Sequence, residues 1–244
     1  IKKLYIDCCL PEESGSWCKL GFLLKLEEVS IGPNAKNIGE LFFGSIGQDI
    51  WPFYSSLLTI NLDAKNRNYT VYDGVLYNNN KTKLILYPNA DSRSSFIMPE
   101  TVEEVQSGEV LRYAKNLRYL HLSKNFVKAS YDEGDYNNIA EAAFNFSGNL
   151  WTGLLPLALR QIDVSDGHPF LKSVDGILYS KDMKVLCLYP SNRESSNYHI
   201  PDTVCAISYS AFIGCKNLNL YFPKDFGKHV LASEFASNFD TGSI

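Results

Sequence analysis

The chain repeats itself at a distance of 102 residues, and that offset restricts the available folds more than any other feature. Asp73-Gly74-Val75-Leu76-Tyr77 overlays Asp175-Gly176-Ile177-Leu178-Tyr179. The register then runs without a gap from Ile60/Ile162 to Val105/Ile207. Leu84/Leu186, Leu86/Leu188, Tyr87/Tyr189, Pro88/Pro190, Pro99/Pro201, Thr101/Thr203 and Val102/Val204 are identical, and Phe96/Tyr198 and Met98/Ile200 are conservative pairs. A match this long, in register at the apolar positions, is an internal duplication, and such self-similarity marks stacked architectures.

A shorter pattern recurs inside the long one: apolar, two residues, apolar, one residue, apolar. It appears in Ile1–Ile6, Leu26–Ile31, Leu57–Leu62, Leu117–Leu122 and Leu159–Val164, with weaker versions ending in Phe96-Ile97-Met98, Tyr198-His199-Ile200 and Leu220-Tyr221-Phe222. The alternation of the last positions is that of a short half-buried strand. One such strand cannot hide its own apolar face. Parallel stacking on the next unit buries a shared core and pairs the backbone. About eight units are expected over a single domain, 1–244. Each Asp-Gly-[Val/Ile]-Leu-Tyr block is followed by a polar stretch and an apolar return ending in Leu-Tyr-Pro. We read these blocks as two β-hairpins inserted on the convex or lateral side. The remaining connections are expected to be short helical or 3-10 turns, clearest at Ile139–Phe144 and shorter at Ser210-Ala211-Phe212. Val230, Leu231, Phe235 and Phe239 are spaced for an amphipathic helix, so 226–240 is expected to cap the C-terminal end.

The motif resembles a known family. Ile200-Pro201-Asp202-Thr203-Val204, Ile207 and Ala211-Phe212-Ile213-Gly214-Cys215-Lys216-Asn217-Leu218 follow the order of the BspA-like leucine-rich repeat. The likeness covers about residues 57–125 and 159–223. The first copy departs from it, with Val110-Leu111-Arg112-Tyr113-Ala114 where the family has Ala-Phe-x-Gly-Cys. The resemblance implies a β-rich α/β fold, namely a right-handed leucine-rich-repeat solenoid with a parallel concave sheet. It further implies a bacterial protein at the cell surface or beyond, adhesion or protein binding, and no catalytic residue. It places Cys215 at a packing position.

Charge and composition narrow the function. The net charge of −4 and the dispersed basic residues disfavour a nucleic-acid surface. No apolar run is long enough to span a bilayer. The chain begins Ile1-Lys2-Lys3 without a methionine, a start that fits a mature exported chain whose signal segment has been removed and equally a chain trimmed at that point. None of the six cysteines forms a C-x-x-C pair. A disulfide among Cys8, Cys9 and Cys18 and six small buried apolar residues are both open readings. Asn68-Tyr69-Thr70, Asn80-Lys81-Thr82 and Asn145-Phe146-Ser147 fit the glycosylation acceptor pattern, which matters only in a eukaryotic host. We find no G-x-S-x-G, phosphate loop or H-E-x-x-H, and no histidine near the N-terminal cysteines. No catalytic residue, metal site or cofactor is assigned.

The candidate surface is the outward face of the stacked strands. Side chains alternate across a strand, so the central outward positions form one column: Tyr5, Ser30, Asn61, Ile97, His121, Asp163, His199 and Tyr221. A second column holds Lys3, Glu28, Thr59, Ser95, Tyr119, Gln161, Asn197 and Asn219. Tyr5, Tyr119, His121, Gln161, Asp163, Asn197, His199 and Tyr221 are the binding candidates, because tyrosine and mixed polar groups suit an interface. His121, Asp163 and His199 are expected on three consecutive rungs of one column, which suits a polar ladder, a pH-sensitive patch or a divalent metal. The polar ladder is the preferred reading. Three functions follow in order: a surface binding or adhesion module for a host or bacterial surface protein or glycan, a structural spacer in a larger surface protein, and a hydrolase or metal-dependent enzyme.

Overall fold

The computed structural model describes residues 1–9, 23, 25–42, 56–106, 110–129, 156, 158–208 and 211–226. The described residues are β-rich. In chain order the strands are β1 (Lys3–Ile6), β2 (Glu28–Ile31), β3 (Thr59–Leu62), β4 (Tyr69–Tyr72), β5 (Val75–Asn78), β6 (Lys83–Leu86), β7 (Ser95–Ile97), β8 (Glu104–Val105), β9 (Tyr119–Leu122), β10 (Lys128–Ala129), β11 (Gln161–Val164), β12 (Leu171–Val174), β13 (Ile177–Ser180), β14 (Val185–Leu188), β15 (Asn197–His199), β16 (Ala206–Ile207) and β17 (Asn219–Tyr221). Among these residues one 3-10 turn occurs, Gly39–Leu41.

Every apolar motif forms a strand, and within three sets these strands pair in parallel. Lys3, Glu28 and Thr59 share a row, as do Tyr5, Ser30 and Asn61. Ser95, Tyr119 and Gln161 share another, beside Ile97, His121 and Asp163. Asn197 faces Asn219, and His199 faces Tyr221. The inward residues Val29, Ile31, Leu120, Leu122 and Ile162 are buried. A one-residue slip would turn each of them to solvent, so burial fixes the register.

The motif strands are divided among three sheets, β1-β2-β3, β7-β9-β11 and β15-β17, rather than joined in one. The divisions follow β3 and β11, which the duplication relates. After each, the chain folds into an antiparallel meander, β4-β5-β6 or β12-β13-β14. The meander takes the place beside β11, because the Ile162 amide donates to the Gly176 carbonyl. The turn between its first two strands is the Asp-Gly pair, with φ of 49° and 74° at Asp73 and Gly74 and 52° and 71° at Asp175 and Gly176. Two consecutive positive φ values make the hairpin turn that matches strand twist and favours Asp-Gly.

The far side also differs from the expected helical turns. Short strands stand there: β6, β8 and β10 pair in parallel, as do β14 and β16. The last strand of each meander therefore joins a second ladder. Ala211 to Gly214 form a turn. The helix expected at 139–144 and the cap expected beyond residue 226 lie outside the described residues.

Equivalent positions in the two copies solve the same polar problem with different side chains. Asn66 Oδ1 accepts the amides of Asn68 and Tyr69, and its Nδ2 donates to the carbonyls of Gly32 and Ala35. His168 stands at the same place in the second copy. Its Nδ1 accepts the amides of Phe170 and Leu171 at 3.1 and 3.0 Å. That fixes the hydrogen on Nε2, which donates to the Phe126 carbonyl at 2.9 Å. Both side chains latch one turn to the preceding unit from a buried position.

One difference between the copies yields a test. The Tyr179 and Tyr198 hydroxyls meet at 2.5 Å. The equivalent of Tyr198 is Phe96, and the buried Tyr77 hydroxyl has no protein partner. Phe96→Tyr is expected to raise stability by about 1 kcal/mol by restoring that bond. A urea midpoint at or below the parent value would refute the equivalence of the two sites.

Candidate functional site

The outward positions of the middle sheet form a connected polar group. The Ser165 hydroxyl donates to Glu100 Oε1. Its oxygen is then left to accept from His121 Nε2 at 2.7 Å. On the other side of the ring, the Tyr119 hydroxyl lies 3.3 Å from His121 Nδ1. Burial first, and then the charge of Asp163 and a hydrogen bond to it, push the Tyr119 phenol above its ordinary value. Gln161 Nε2 donates to Asp163 Oδ2 at 2.8 Å. The hydrogen bond from Ser165 is the main cause that holds Glu100 below the usual carboxylate range, and the Lys124 amide adds to it.

The hydroxyl hydrogen of Ser165 is committed to a carboxylate, so the serine and His121 do not form a nucleophile–base pair. The Cys187 thiol is fully buried and burial pushes its pKa up to about 12, while burial takes Cys215 up to about 11. Neither is an activated thiolate near neutral pH. Cys8 and Cys9 are exposed, and Cys18 lies outside the described residues.

The structure brings together only part of the expected three-rung column. His121 and Asp163 face each other on β9 and β11. His199 belongs to the β15-β17 sheet, because the second meander stands beside β11 instead of β15. No group of three His, Cys, Asp or Glu side chains spaced for a metal occurs among the described residues.

The remaining outward residues lie at the edge of the middle sheet and on the two other sheets. Tyr5 is 66% exposed on β1, beside the Lys3–Glu28 ion pair at 2.8 Å. Ile97 is 67% exposed on β7, next to His121. On the last sheet, the His199 and Tyr221 rings stack at 4.3 Å with an interplanar angle of 12°. Asn219 Nδ2 donates to Asn197 Oδ1 at 3.0 Å, and the Tyr221 hydroxyl reaches the same oxygen at 3.4 Å. The sequence placed these residues on one face but gave no sign of Glu100 or Ser165. Both sit beyond strand ends, where the period-two pattern carries no information. Ser165 follows β11 and Glu100 lies in the turn that Pro99 opens, so only the stacking of units brings them to His121.

The comparisons add likeness at the level of solved structures. The chain is similar to bacterial leucine-rich-repeat proteins. Such a protein from Eubacterium ventriosum matches with 19% identity and a TM-score of 0.40 over 83% of this chain and 56% of its own. A leucine-rich cell-surface protein from Faecalibacterium prausnitzii matches with 17% identity and a TM-score of 0.41, over 86% of this chain and 53% of its own. The pneumococcal vaccine antigen PcpA matches with 19% identity and a TM-score of 0.40, over 81% and 34%. The chain thus spans between about a third and somewhat over half of the length of these leucine-rich-repeat and surface proteins. No family model matches the sequence, and no curated protein matches it. No helix among the described residues is long and apolar enough to cross a membrane.

Proposed function

We propose that the chain is a single-domain, non-enzymatic binding module that recognises its partner on the outward face of the motif strands. The reading takes the stack as a right-handed solenoid with these strands on its concave side and the two meanders as lateral insertions. The observation that carries it is the exposure of Tyr5, Ile97 and Tyr221, each about half exposed or more, on columns whose polar neighbours are already held by side-chain hydrogen bonds. Rigid amphipathic side chains lose little entropy on contact, which is why tyrosine concentrates at binding surfaces. Tyr119, His121, Gln161 and Asp163 form the central polar part of the face, and Asn197 and His199 its distal part. The likeness of the repeat motif to the BspA-like family supports a place at the bacterial cell surface or outside it, with a surface protein or glycan as partner.

The test is solid-phase binding of the chain to immobilised extracellular-matrix proteins and glycans. Combined replacement of Tyr5, Tyr119 and Tyr221 by alanine is expected to weaken any detected binding by about tenfold or more, the scale on which truncated aromatic anchors act. Undiminished binding in the triple variant would move the site to another face. No binding to any surface would favour a structural spacer.

A further inference from the structure

The three parallel sheets present different chemistry on their outward sides. The first carries the Lys3–Glu28 ion pair. The middle one carries the Asp163 carboxylate, with Glu100 at its rim. The last presents Asn197, His199, Asn219 and Tyr221, a group without carboxylate, ammonium or guanidinium. All four are exposed, yet they are ordered by contact with one another. Asn197 also donates to Ser196 Oγ at 3.3 Å.

Taking the strand face as the binding surface, we infer that these four residues form a site for a neutral saccharide. A parallel stack uses one face of each ring. Both side chains remain exposed despite the stack, which offers aromatic surface to the apolar C–H face of a pyranose, a contact suited to amphipathic aromatics. The amides bond to each other through Asn197 Oδ1, which leaves Asn219 Oδ1 to accept from a hydroxyl and N–H groups of both asparagines to donate to one. The footprint agrees. Adjacent strands are about 4.8 Å apart and alternate residues about 6.8 Å apart, so the patch matches one sugar ring. A stable protein interface needs about 800 Å² on each side, far more than four side chains supply. An anionic glycan would find no cation among them.

The experiment is saturation-transfer NMR on the whole chain with lactose, chitotriose and maltotriose as neutral probes, and heparin and sialyllactose as anionic ones. Saturable binding of at least one neutral probe is expected, with a dissociation constant of about 1 mM, typical of small contacts. Tyr221→Ala and His199→Ala are each expected to weaken it by about tenfold, while Tyr72→Ala, an exposed tyrosine on β4 of the first meander, leaves it unchanged. Both replaced side chains are exposed, and far-UV circular dichroism checks each variant's fold. If one does not fold, the other decides. Binding of none of the neutral probes, binding of heparin or sialyllactose alone, or retention in both folded variants would overturn the site. Loss of matrix-protein binding in the triple tyrosine variant with no saccharide bound would retain the binding module and remove only this inference.

Discussion

His168→Ala is expected to destabilise the chain by about 3 kcal/mol, because it strands the buried Leu171 amide, the part-buried Phe170 amide and the buried Phe126 carbonyl and opens a cavity. The same histidine makes stability depend on pH. Burial, helped by the charge of Lys181 and opposed by the Phe126 hydrogen bond, holds the imidazole below its ordinary value of 6.5. The unfolded chain takes up this proton near pH 6.5 while the folded chain refuses it. Stability from this group is therefore full above about pH 6.5 and falls as the medium is acidified toward the depressed folded value, by at most about 1.4 kcal/mol per pH unit. His168→Asn separates the two effects. Asn66 does the same work in the first copy, so asparagine is expected to retain much of the latch while removing the proton. Urea midpoints at pH 7.5, 6.5 and 5.5 should show a shallower decline in that variant than in the parent. Equal slopes would mean that His168 does not govern the acid response.

Gly176→Ala is expected to cost about 3 kcal/mol, and Gly74→Ala at the equivalent turn only about 1 kcal/mol. Both glycines have left-handed φ, at 71° and 74°. The difference is what a methyl group would meet. At Gly176 it would stand 2.4 Å from Gln161 Cγ and 3.1 Å from its Cβ, whereas at Gly74 it would meet only the tip of Arg93 at 3.1 Å. The overlap at Gly176 also pushes Gln161 away from Asp163, so the turn supports the polar centre of the strand face. Thermal or urea unfolding of the two variants measures the gap. Similar losses would show that backbone strain alone sets the cost.

Much of this architecture was legible in the residues. The pattern apolar-x-x-apolar-x-apolar marks five of the motif strands in full and β7, β15 and β17 in weakened form, because a short strand buried on one face has to write that alternation into its sequence. The parallel register followed from aligning the motifs. The extent of the meanders is less legible. Thr70-Val71-Tyr72 before Asp73-Gly74 is a strand leading into a hairpin turn, but four residues without clean apolar alternation carry little periodic signal, so β4 and β12 escape the pattern, and with them the division of the sheet that parts His199 from Asp163. The short strands β8, β10 and β16 are two residues long, too short for any period to show. In the site, the tyrosine and histidine columns came from alternation alone. The relay through Ser165 to Glu100 depends on which turns stacking brings together.

The paired meanders have a consequence for the order in which the chain assembles. Each closes its antiparallel pairs within residues 69–86 or 171–188, so its contacts cost little loop entropy. The parallel rungs join segments more than twenty positions apart. Local pairing precedes distant pairing on those grounds. The duplication thereby gives the chain two nuclei, each with a buried tyrosine at its centre, Tyr77 or Tyr179, from which rungs are laid down outward in both directions.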